Sequence, residues 1–121
     1  VKRLLTSEAS SRYSINLTDM REAIVGYDIP ALPEDGAATR AIIERSVAES
    51  LARGETPLSI GGDHSITYPI LRAIAAKHGA VNLLHIDAHG DLHEDYEGDR
   101  YSHASPFARA HEERLIRRHV A

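Results

Sequence analysis

Between residues 37 and 53 the apolar side chains Ile43, Val47 and Leu51 recur at every fourth position, with Ile42 and Ala48 beside them and Gly54 just beyond. This spacing predicts an amphipathic helix closed by a glycine cap. Residues 65–78 repeat the pattern with Ile66, Ile70, Leu71, Ile74 and Ala75 ahead of Gly79, and Pro69 falls near the first turn, where backbone N–H groups have no helical partner. Residues 80–86 are almost wholly apolar, through Val81, Leu83, Leu84 and Ile86, as in a strand covered on both faces. With residues 57–60 taken as a short strand, the order strand, helix, strand predicts a βαβ unit, a parallel pair joined by a right-handed crossover. Ser105-Pro106 predicts a cap and first helical position leading a charged helix to about His119. Upstream, residues 23–25 predict a brief strand ending at Gly26, and Pro30, Pro33 and Gly36 a loop. Residues 1–20 are polar and aperiodic, with at most one helical turn.

Composition narrows the chemistry more than the fold. At 121 residues, with 42% hydrophobic and 26% charged side chains, the chain has the make-up of one globular domain. No cysteine is present, so disulfides, thiolate zinc sites, iron–sulfur clusters and cysteine nucleophiles are excluded, and any metal must be held by oxygen and nitrogen. A net charge of −4 without a clustered basic face argues against nucleic acid as the main partner. The lack of a long apolar run argues against a membrane span and gives the expectation of a cytoplasmic protein. Val1 stands where a start residue would, which gives the expectation of a processed or cut chain.

Two polar clusters follow apolar runs: Gly61-Gly62-Asp63-His64, and Asp87-Ala88-His89-Gly90-Asp91. Both are expected at strand carboxyl ends, where loops of an open parallel sheet converge on ligands. In an extended segment Asp87, His89 and Asp91 would project to one side, and two carboxylates so close resist joint ionisation unless a cation lies between them. His64 would add an imidazole, making a mixed set suited to manganese, iron, nickel, cobalt or zinc. Taken alone, the first cluster is also compatible with a simple glycine-rich turn. Asp63 is expected to support the site from behind or to cap the next helix, and His85 to be a hydrogen-bonded core residue. His78 suits a helix C-terminus, and His111 and His119 the surface of a charged helix. His103 lies on the loop leaving the second cluster and could return beside it. Glu94, Asp95, Glu97 and Asp99 form an acidic stretch, either solvated or attracting a cationic substrate.

At these residues the chain resembles the ureohydrolase family of arginases, agmatinases and related guanidino hydrolases. The resemblance rests on Ile60 to Thr67 with Pro69 and Ala73, on Leu83 to Asp91, and on an agmatinase-like stretch from Ser102 to Arg109. It implies a three-layer α/β/α sandwich with a mostly parallel sheet, present here only in part, with residues 1–121 as a partial domain lacking the C-terminal half. It also implies two manganese ions, one held by His64, Asp87 and Asp91, the other by His89, with Asp87 bridging. His103 takes the place of a loop histidine associated with proton transfer. The implied reaction is hydrolysis of a small cationic guanidino substrate to urea and an amine, in an enzyme that is a homo-oligomer when complete. His93 stands where arginases usually carry an asparagine, so agmatine, yielding putrescine, is favoured over arginine, with guanidinobutyrate and guanidinopropionate open. The family's later Ser-Phe-Asp-x-Asp ligands do not occur in this sequence, so the chain alone is expected to be inactive. A non-catalytic assembly piece and a metal hydrolase of the related deacetylase fold are the rival readings.

Overall fold

The computed structural model describes residue 29 and residues 35–121. The expectations for residues 1–20 and 23–25 lie outside the described residues. The chain divides into Val1–Pro30 and Ala31–Ala121, and the second unit carries the helices and strands that follow.

Helix α1 spans Gly36–Ala52, within a residue of the periodicity limits. It begins where Asp35 accepts from the Ala37 and Ala38 N–H groups at 2.8 and 3.2 Å, satisfying two donors that the first turn leaves open. Helix α2, Thr67–His78, follows a 3-10 turn over His64–Ile66. Pro69 is its third residue and is buried, and Gly79, at φ 74°, closes it by donating to the Ala75 carbonyl. Val47 and Leu51 of α1 meet Ala73 of α2, flanked by Ile70 and Ile74. Arg72 pairs with Glu44 at 3.0 Å on the outer side, and the Lys77 ammonium reaches the Leu51 carbonyl, which also accepts from the Gly54 N–H at the end of α1.

The sheet differs from expectation. Strand β1, Val81–Leu84, pairs in parallel with β2, Ile116–Val120, and the crossover between them carries helix α3, Pro106–Glu112. Residues 57–60 form no strand: a strand needs a ladder partner, none lies beside them among the described residues, and Leu58 and Ile60 are 87% and 69% exposed. The expected charged helix to His119 stops at Glu112, because Arg114 takes a left-handed conformation, φ 56°, and sends Leu115 and Ile116 under α3. Nor is β1 covered on both faces. Val81 and Leu83 face a core of Leu71, Phe107, Ala110 and Ile116, while Leu84 remains 69% exposed. Among the described residues no helix is long and apolar enough to cross a membrane.

Candidate metal centre

Past Leu84 the ladder continues one residue further, with His85 donating its N–H to the Val120 carbonyl at 2.8 Å. This places the His85 ring in the interior, 8% exposed and 4.4 Å from the Phe107 ring. The chain then bends. Asp87 Oδ1 accepts from the His89 N–H at 2.9 Å and lies 3.0 Å from His89 Nδ1. Asp91 adopts φ 49°, a conformation that aspartate tolerates better than most residues, and its carbonyl accepts from the Phe107 N–H at the start of α3. On the other side Asp63 shapes the glycine turn by accepting from Ser65 N and Ser65 Oγ at 2.8 and 2.5 Å. His64 is held by Thr67 Oγ1 at 2.9 Å from Nδ1, leaving Nε2 directed elsewhere.

Together these elements gather His64, His85, Asp87 and Asp91, each with one donor atom, all within 4.8 Å of one another. Asp91 Oδ2 is 3.2 Å from His64 Nε2 and 3.8 Å from His85 Nε2. Neither contact is an aligned hydrogen bond, so both buried nitrogens lack a partner. An unpaired buried nitrogen beside carboxylates is a costly arrangement that a divalent cation resolves, and the His64 imidazole with the Asp87 and Asp91 carboxylates suits such an ion. Both neighbouring carboxylates favour the charged form. The Ser65 hydroxyl, chiefly, holds Asp63 below its ordinary value, and the His89 backbone N–H followed by its ring does so for Asp87.

A family model described as "Arginase family" matches residues 3–121. This chain belongs to the arginase family. A guanidinobutyrase of Pseudomonas aeruginosa is 49% identical over 75 residues, covering 62% of this chain and 24% of that protein. A mitochondrial agmatinase of Gallus gallus is 49% identical over 74 residues, 61% of this chain and 21% of its own length. The solved arginase from Medicago truncatula superposes with a TM-score of 0.64 at 49% identity, over 71% of this chain and 28% of that one. The fold is therefore the α/β fold of the arginase family, present in part, and the aligned stretches span about a quarter of the curated relatives, 24% and 21% of the two named here.

In this arginase-family chain three of the four expected ligands, His64, Asp87 and Asp91, meet at one point. His89, expected on a second ion shared with Asp87, lies outside this group, because the bend over residues 87–89 and the left-handed Asp91 break the extended alternation; its ring is 79% exposed, with Nδ1 3.0 Å from Asp87 Oδ1. The group's remaining member is His85. Its signal in the sequence is the two-residue step to Asp87, which on a strand puts both side chains on one face. His103 is exposed and edge-on to Tyr96 at 5.3 Å, on a loop whose next residue, Ala104, accepts from the His93 N–H at 3.1 Å. His93 is exposed and also edge-on to Tyr96, at 5.8 Å.

The acidic stretch is a built turn. Asp95 accepts from the Gly98 N–H and Asp99 from the Tyr101 N–H, each at 2.8 Å, with Glu97 and Gly98 both left-handed. Arg109, 2% exposed, anchors it through the carbonyls of Glu94 and Arg100 at 2.7 and 2.8 Å and the Glu112 carboxylate at 2.6 Å. His78 ends α2 as expected. His119 lies on β2 instead of a helix surface, 4.9 Å from Phe107 and 5.5 Å from His85.

Proposed function

We propose that this chain carries part of the site of a metal-dependent guanidino hydrolase, which converts a guanidino group and water to urea and an amine. The observation that carries the reading is the cluster of His64, His85, Asp87 and Asp91 with its unpaired buried nitrogens, in a chain of the arginase family. Our choice of ion is manganese, two in the complete enzyme, which when bound supplies the Lewis acidity that activates water. His64, Asp87 and Asp91 would hold the first ion, and the outward-facing His89, with a share of Asp87, would offer a donor to the second. His103, on the loop facing Asp63, passes a proton to the leaving amine.

The acidic turn and His93 support agmatine, with putrescine as product. Guanidinobutyrate and arginine remain the alternatives suggested by relatives named guanidinobutyrase and arginase. The turn offers Glu94 and Glu97 as charges not engaged in holding it, which suits a substrate with a second positive charge. We further propose a cytoplasmic homo-oligomer as the complete form, with no nucleic-acid or membrane partner. For residues 1–121 alone we propose binding of one ion without turnover. Among the described residues, a second ion finds only His89 and a share of Asp87.

The test is elemental analysis of the purified chain together with urea assays on a longer form that extends through the Ser-Phe-Asp-x-Asp signature. One manganese per 121-residue chain, and urea release from the longer form lost in Asp87→Asn, is the expected result. Urea release that survives Asp87→Asn unchanged defeats the assignment. His103→Ala in the longer form lowers kcat at least about tenfold with metal content unchanged.

A further inference from the structure

Asp91 and His85 present a mismatch that the proposed reaction leaves unused. Asp91 Oδ2 lies 3.2 Å from His64 Nε2, a span that two donors at about 2.0–2.2 Å from a shared ion readily bridge. His85 Nε2 stands further back, 3.8 Å from the same oxygen, deep against Phe107. The His85 ring is 8% exposed, and neither of its nitrogens has a hydrogen-bond partner. Among the described residues no hydrogen bond is donated to the Asp91 carboxylate. A ligating carboxylate that no donor orients is free to rotate about its side-chain torsions, and ligating carboxylates are generally hydrogen-bonded from behind.

Resting on the metal reading above, we infer that His85 is a positioning residue for Asp91, donating from Nε2–H to Oδ2 and fixing the direction of that carboxylate without itself binding the ion. A neutral imidazole has one donor to give, and the approach needed is under about 1 Å, from 3.8 Å to the usual N–H···O distance. The pairing satisfies a buried nitrogen and an unoriented carboxylate together. It also accounts for a buried imidazole just past the end of β1.

The experiment uses the 121-residue chain, with His85→Phe and His85→Gln, titrated with Mn(II) and Co(II) by calorimetry. Metal-free thermal melting and a pulsed-EPR count of coordinated imidazoles on the Mn(II) form accompany it. Phenylalanine keeps the ring volume against Phe107 but removes the donor, and glutamine restores an N–H near the position of Nε2. His85→Phe is expected to weaken the ion about 10- to 100-fold with the metal-free melting temperature and the imidazole count unchanged, and His85→Gln to recover most of the loss. Unaltered affinity in His85→Phe, or a weakening that glutamine does not reverse, overturns the inference while leaving the metal reading intact. A drop of one imidazole in His85→Phe also overturns it, because His85 is then a ligand. Failure of the unaltered chain to bind either ion overturns the metal reading and the inference with it.

Discussion

The α1–α2 pair and the α3–sheet layer bury their apolar groups in different ways. Val47, Leu51 and Ala73 come from two helices adjacent in the chain, α1 begun by its Asp35 cap and α2 closed by Gly79. The second cluster draws Leu71, Phe107, Ala110 and Ile116 from α2, α3 and β2, and it seals only one face of the sheet, since Leu84 and Val120 stay 69% and 44% exposed. The metal cluster leans on the second layer, through the Phe107 ring at 5.3 Å from His64 and 4.4 Å from His85. Site geometry therefore depends on long-range packing, and the helix pair can be altered without touching it.

The sharpest break of this comparison is Phe107→Ala. It is expected to cost about 3–5 kcal/mol in urea unfolding and to weaken metal binding as well, because both imidazoles lose their wall. Leu51→Ala in the helix pair should also destabilise, by about 2–5 kcal/mol, yet leave metal affinity in the folded chain unchanged. If the two variants weaken the ion equally under folding conditions, the layers are not independent. Asp91→Asn reverses the contrast, with metal affinity in calorimetry falling at least about a hundredfold while the unfolding midpoint of the metal-free chain holds.

A smaller, pH-dependent difference is expected from His119. Burial first, and then His111 and His85, hold its imidazole below the ordinary 6.5. The unfolded chain takes up a proton there more readily than the folded one, so this contribution is complete above pH 6.5 and is lost as pH falls towards the lowered folded value. Melting temperatures at pH 7.5 and 5 should therefore lie closer together in His119→Phe than in the unaltered chain. The least effect belongs to Leu58→Gln, within about 0.5 kcal/mol by the same unfolding measurement, since Leu58 is 87% exposed and supports neither layer.

Legibility in the sequence followed the same division. α1 and α2 could be read because three- and four-residue spacing and the glycines at 54 and 79 all act within a turn or two of chain. His64, Asp87 and Asp91 stood out as candidates because small residues and clustered donors mark them in the sequence, and the fold brings the three together. β2 was not, because Arg117, Arg118 and His119 read as a charged helix face, and the partner that makes them a strand is β1, with Val81 paired to Ile116. Residues 57–60 failed in the opposite direction, having strand-like composition without a neighbour to pair with.

By itself the sequence determined the two long helices, the caps that bound them, and the identity of the donors beside two apolar runs, since each depends on contacts within a few residues. The tertiary structure alone decided which strands pair, that His85 and not His89 faces Asp91, and that Arg109 is buried to hold the acidic turn. Those outcomes turn on segments tens of residues apart meeting in one place, and on a bend at residues 87–91 that reverses the direction a side chain would take in an extended chain.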